Sequence, residues 1–261
     1  RYWYPDFIGN SGAQRPTTDE MLQAMQSGIR RSLPNGPVGT FLSGGLDSST
    51  ITGLASQIAE SPLPAFTIGF DATGYDEMSF ARTVAEHFGN EHQQYYVTCA
   101  DVVDSAPYIA ANCDEPFGNS SIIPTYFCAK LAASHGCSTM LAGDGGDELF
   151  GGNERYAKQR IFEHFGRLPP VLQSLAKRLA SQHQDSPITV LRKFSSYVSQ
   201  ASVPLPDRLE TYNLLTMIPS DRIFTADFLA AVRPSEPLDM MSSVYDAAGQ
   251  TDTLNHLLYL D

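Results

Sequence analysis

The sequence predicts an α/β fold: a parallel sheet with helices on both faces, followed by an α-helical C-terminal portion. Three observations carry that prediction. Short β-rich runs alternate with helical patterns from Val38 to Val97, and βαβαβ order implies parallel strands. Two glycine-rich turns, Ser43-Gly44-Gly45-Leu46-Asp47-Ser48-Ser49 and Gly143-Asp144-Gly145-Gly146-Asp147-Glu148-Leu149-Phe150-Gly151-Gly152, each follow a β-rich run. From Arg155 onward the β-rich runs stop, and proline-punctuated helical segments continue to the end. The expected divisions are a linker over residues 1–17, the α/β domain over 18–154 and the helical portion over 155–261.

Arg1-Tyr2-Trp3-Tyr4 and the Gly, Ser, Pro and Thr after it have linker composition. A helix is expected over Thr18–Leu33, capped by Thr17 or Thr18, with Glu20 in its first turn and Pro34-Asn35-Gly36-Pro37 to stop it. Val38–Leu42 reads as a short buried strand. Beyond Leu46, Ile51, Leu54, Ala55 and Ile58 recur at helical spacing, so Ser43–Ser49 is a strand-to-helix turn. A strand at Ala65–Phe70, a helix from Glu77 to Phe88 and a strand at His92–Val97 follow. A helix at Asp101–Asn112 leads to the polar loop Asp114–Ser121 and a further helix ending near His135-Gly136. Ser138–Ala142 is the next strand and delivers the Gly143–Gly152 turn. Ligands in such sheets bind beyond the carboxyl ends of the strands, so both glycine-rich turns belong to one rim. His92 and His135 have no partner pattern and read as structural.

At 261 residues the chain can form one large domain or two small ones. No apolar stretch approaches the ~20 residues needed to span a membrane, and no signal-peptide pattern opens the chain. A soluble, cytoplasmic protein without a membrane partner is expected, and Arg1 in place of Met suggests a piece of a longer polypeptide. Cys99, Cys113, Cys128 and Cys137 lack CxxC spacing and nearby His, and read as reduced thiols. The net charge of −12 argues against a nucleic-acid partner. Residues 32–154 hold fifteen Asp/Glu against two basic residues, Arg82 and Lys130, a local net charge of −13.

The Ser43–Ser49 turn has the chemistry of an anion cradle. Gly44 and Gly45 let the backbone curl close to a ligand, helix N-terminal amides point outward, and Ser43, Ser48 and Ser49 offer hydroxyls. Each glycine-rich turn also carries a carboxylate, Asp47 or Asp147, able to ligate a magnesium ion that bridges phosphates. Tight turns without a ligand are the bland alternative. A P-loop is excluded because no GxxxxGKS/T occurs, and no GxGxxG follows the first strand.

Ser43–Ser49 resembles the pyrophosphate-binding loop of the PP-loop ATP pyrophosphatases, and Gly143–Gly152 resembles the second signature of asparagine synthetases. Asp114-Glu115-Pro116-Phe117 and Tyr75-Asp76-Glu77 match that family too, and the resemblance covers most of the chain. It implies an adenine nucleotide α-hydrolase-like fold with ATP and Mg2+ as cofactors. An aspartate side chain would be adenylated with release of pyrophosphate, after which ammonia would displace AMP to give asparagine. By this resemblance Ser43, Gly44, Gly45, Ser48 and Ser49 hold the pyrophosphate, Phe41, Leu42, Ile68 and Gly143 contact the nucleotide, and Asp47 and Asp147 hold magnesium. Asp144 stands where the family carries a glutamate proposed as base, one methylene longer, and Glu148 is the neighbouring candidate. Arg155 and Lys158 are expected to add positive charge at the phosphates.

The expected partners are aspartate or another small carboxylate, ammonia from a glutaminase domain that this chain lacks, and a second copy as a homodimer. The family's phosphate-contacting lysine would lie beyond Asp261. Adenylation of another carboxylate, as in β-lactam-forming synthetases, a tRNA-thiolating pyrophosphatase, and an ATP-binding fragment without turnover remain the alternatives.

Overall fold

The computed structural model describes residues 16–59, 61–71, 76–114, 119–184, 186–211, 218–233, 235–249 and 251–261. Trp3, Tyr75 and Glu115-Pro116-Phe117 lie outside the described residues. The chain divides into two compact units, Gln14–Gly146 and, beyond it, Asp147–Asp261.

In the first unit β1 (Val38–Phe41), β2 (Pro64–Phe70), β3 (Glu91–Val97) and β4 (Thr139–Leu141) form a parallel sheet in the order β3-β2-β1-β4. Register pairs Phe41 with Phe66, Thr40 with Leu141 and Ala65 with His92. The helices of this unit are α1 (Thr18–Ser32), α2 (Leu46–Ile58), α3 (Met78–Phe88), α4 (Cys99–Asn112) and α5 (Ile122–Ser134). The short α6 (Gly146–Phe150) begins at its last residue.

Successive strand residues point to opposite faces, and the packing follows that alternation. Val38 and Leu141 pack with Ile29 of α1 and Leu54 and Ala55 of α2, while Leu42 and Ala65 pack with Ala81 and Ala85 of α3. Phe41, Phe66, Ile68 and Met140 occupy the other face with Cys128 and Ala132 of α5. Right-handed crossovers require this division. The chain steps from β1 to β2 to β3 in one direction, then returns to the far side of β1 for β4, so its later connection crosses the opposite face.

Local chemistry sets the helix starts. Thr17 caps α1 in a reciprocal box: its hydroxyl accepts the Glu20 amide at 3.2 Å, and its own amide donates to the Glu20 carboxylate at 2.8 Å. The helix expected from Asp101 begins at Cys99, because Asp101 closes a similar box on Thr98 rather than capping the helix itself.

The unit Asp147–Asp261 contains helices and no strand among its described residues, including α7 (Glu154–Gly166), α8 (Pro170–Ser181) and α9 (Thr189–Ala201). Phe162, Phe165, Ala180, Val198 and Ala201 form its apolar cluster. The Ser195 hydroxyl crosses from α9 to donate to the Ala180 carbonyl of α8 at 2.8 Å.

Burial pushes the Cys128 thiol up from 9.0 to about 12, and its Sγ–H donates to the Phe66 carbonyl at 3.5 Å. Folding therefore favours the protonated thiol. Its contribution is complete below pH 9.0 and is lost as pH rises toward about 12. Denaturant titrations across the alkaline range are expected to show this loss, and Cys128→Ala to flatten it at a cost of about 1 kcal/mol near neutrality. An unchanged alkaline slope in C128A would refute the assignment.

Candidate active site

The site lies where the strand order reverses, between the carboxyl ends of β1 and β4, the position at which open α/β sheets leave a crevice. Leu42 continues the ladder by donating its amide to the Phe66 carbonyl at 2.9 Å, and the chain then turns away. Gly44 makes the turn with φ +90, and a Cβ there would stand 2.6 Å from the Ala81 amide nitrogen of α3. Only glycine meets both requirements. Gly45 is the N-cap of α2 and no side chain caps that helix among the described residues, so the first amides remain available to an anion.

The serines of the turn hold different positions. Ser43 and Ser48 hydroxyls lie 2.9 Å apart, the Ser43 amide donates to Ser48 Oγ at 3.2 Å, and the Gly45 amide donates to Ser43 Oγ at 3.2 Å. Ser48 is thus largely occupied in closing the turn, while Ser43 is exposed. Ser49 Oγ is buried and makes no hydrogen bond among the described residues.

The second glycine-rich turn rests directly on the first. A Cβ at Gly143 would stand 2.6 Å from the Ser48 amide nitrogen, and one at Gly146 would stand 2.6 Å from Asp47 Cγ. The Gly146 amide closes the turn on the Gly143 carbonyl at 3.2 Å, with Gly145 at φ +86. The half-buried Asp47 carboxylate is therefore held against Gly146 at the start of α6.

Beside these turns opens a cavity of about 340 Å³. Phe41, Leu42, Ser43, Asp47, Ser48, Ile68, Gly143 and Asp144 all line it, so eight of the residues expected from the sequence come together. Gly44 and Gly45 shape the turn without lining the cavity. Asp147 and Glu148 belong to the other unit, where the Asp147 carbonyl accepts the amides of Gly151 at 2.7 Å and Gly152 at 3.2 Å. Sequence reasoning missed Phe66 on the sheet and Pro124, Thr125 and Cys128 of α5, which also line the cavity. The parity of β1 and β2 carried the missing signal: Phe41, Phe66 and Ile68 share a face, and the reversed crossover brings α5 over it.

Arg155, expected near the phosphates, is tied within its own unit. Its guanidinium pairs with the Asp261 carboxylate and lies 5.2 Å from the Tyr156 ring centroid. Lys158 is exposed on the same helix.

Gly44→Ala is expected to cost roughly 2–4 kcal/mol, combining left-handed strain with a collision against α3. Gly89, at φ +70 with open space around it, isolates the backbone component, so Gly89→Ala should cost only about 1 kcal/mol. Equal losses in urea denaturation would contradict the packing described for Gly44.

A family model described as asparagine synthase matches residues 23–261. The chain is 33% identical over 172 residues to asparagine synthetase (glutamine-hydrolyzing) 1 of Bacillus subtilis strain 168, covering 66% of this chain and 26% of that protein. It is 37% identical over 144 residues to putative asparagine synthetase (glutamine-hydrolyzing) 2 of Methanocaldococcus jannaschii, covering 55% and 28% respectively. Among solved structures, the glutamine-dependent NAD+ synthetase of Acinetobacter baumannii superposes with a TM-score of 0.36 at 14% identity, over 89% of this chain and 45% of that one. The matched regions span only 26% and 28% of the two curated relatives' lengths. With the family model matching nearly its whole length, the chain belongs to the asparagine synthase family.

Proposed function

We propose that the cavity at the ends of β1 and β4 binds ATP, and that the protein uses it to convert the side-chain carboxylate of aspartate to an amide. The observation that carries this reading is the contact of the two glycine-rich turns beside an apolar-walled cavity of nucleotide-compatible size. The names of the two curated relatives support aspartate as the acid and ammonia, derived from glutamine, as the nucleophile.

In this reading the adenine ring lies against Phe41, Leu42 and Ile68, beside the Gly143 backbone. The triphosphate runs toward the α2 N-terminus, where the turn amides and the Ser43 hydroxyl face the departing pyrophosphate. A carboxylate oxygen attacks the α-phosphorus, the bond from that phosphorus to the bridging oxygen of the β-phosphate breaks, and pyrophosphate leaves. Ammonia then attacks the acyl carbon, the carbon–oxygen bond to AMP breaks, and the nitrogen gives up a proton. Asp144 lines the cavity and is the candidate acceptor, with a shorter reach than a glutamate.

Charge decides what else the site needs. A helix N-terminus stabilises an anion by only ~0.3–1 kcal/mol when exposed and up to ~2 when partly buried. The surrounding segment carries a net charge of −13. Among the described residues no three His, Cys, Asp or Glu side chains converge as a metal cage. Asp47, at the cavity edge, fits the sparse protein ligation of magnesium, which takes one or two carboxylates together with phosphate oxygens and water. Magnesium, when bound, neutralises phosphate charge and steadies the leaving pyrophosphate.

ATP–pyrophosphate exchange across a panel of carboxylates tests the reading. Exchange is expected to require aspartate and magnesium and to fall by roughly 100-fold in Asp47→Asn. Equal ATP binding in EDTA would sink the metal role. Exchange driven by a different carboxylate would remove aspartate as the substrate.

A further inference from the structure

The carbonyl of Leu42, the last residue before the Ser43 turn, is held by a side chain. Thr67 Oγ1 donates to it at 2.5 Å. That hydroxyl has one proton, so His92 Nε2, 2.8 Å from Thr67 Oγ1, must be the donor in their contact. His92 Nδ1 is then an acceptor and takes the Gln94 Nε2 proton at 3.0 Å, while Gln94 Oε1 accepts from Arg82 at 3.0 Å. Every donor in this row meets an acceptor. It runs from exposed Arg82 on α3, across β3 and β2, to the end of β1. Thr67 is only 2% exposed, so either partner left alone there would be costly. Burial and then Arg82 hold the His92 pKa below its ordinary value while Glu86 opposes them, consistent with a neutral ring.

We propose that His92 is a positioning residue for nucleotide binding: it orients the Thr67 hydroxyl, which holds the Leu42 carbonyl and so sets where the Ser43–Asp47 turn leaves the sheet. His92 contacts neither the cavity nor the expected position of the nucleotide. Its role is to keep Thr67 a donor toward Leu42. An imidazole in the other tautomer would compete for that same proton. The row is supported at the turn itself, because α3, which carries Arg82, also presents Phe80 and Ala81 to Gly44.

The inference rests on the ATP reading, and calorimetric titration with ATP in excess magnesium separates the two. His92→Phe keeps a planar ring without a donor and is expected to weaken ATP binding by about tenfold. His92→Gln restores an amide donor near Nε2 and should return affinity to within about threefold of wild type. Thr67→Val should lose about as much as H92F, Thr67→Ser should lose little, and the H92F/T67V double variant should be no worse than T67V alone. Should H92F not fold, the comparison of T67V with T67S and of H92Q with wild type still reads the row. Wild-type affinity in H92F or T67V, losses in the double variant that multiply, or an H92Q as weak as H92F would overturn the positioning role. A wild-type chain that does not bind ATP would overturn the nucleotide reading and, with it, this one.

Discussion

The close approach of the two glycine-rich turns is the contact on which the site depends. Gly143 and Gly146 let the second turn settle onto the backbone of Ser48 and the carboxylate of Asp47, at distances that a Cβ would turn into collisions. Without that contact, the turns after β1 and β4 would be separate. With it, the first turn of α2, the Asp47 carboxylate and the Asp144 side chain share one cavity with apolar walls. The constraint is steric before it is chemical, because the glycines are needed for packing whether or not any ligand is present.

Backbone closeness has an electrostatic consequence. A turn packed this tightly has no room for a basic side chain, and the surrounding segment is strongly acidic. In the proposed reading, the anion is held by amides, hydroxyls and a bound cation. Arg155 is paired with Asp261 within its own unit. In the proposed ATP reading, the same acidity favours a nucleotide delivered with a divalent ion.

The turn also needs a fixed point of departure from the sheet. Leu42 donates its amide to the ladder, while its carbonyl accepts from Thr67, whose geometry depends on His92 and Gln94. Support of this kind is laid across neighbouring strands, which places it out of reach of any reading of the turn's own residues.

Much of the first unit was legible in the sequence. Alternation of β-rich and helical runs placed the strands, their parallel order and the rim that carries both glycine-rich turns, because side-chain periodicity is a local property. The glycine-rich motifs and the family resemblance together named eight residues that line the cavity. The start of α4 was less legible, because Asp101 closes a box on Thr98 and the helix begins at Cys99, two residues before the expected Asp101. Tertiary structure alone decided the α5 wall with Cys128, the way Gly143 and Gly146 fit onto Asp47, and the partners of His92. Each of those depends on contacts between residues far apart in the chain, which strand order and the lateral spacing of the sheet determine and which no local pattern encodes.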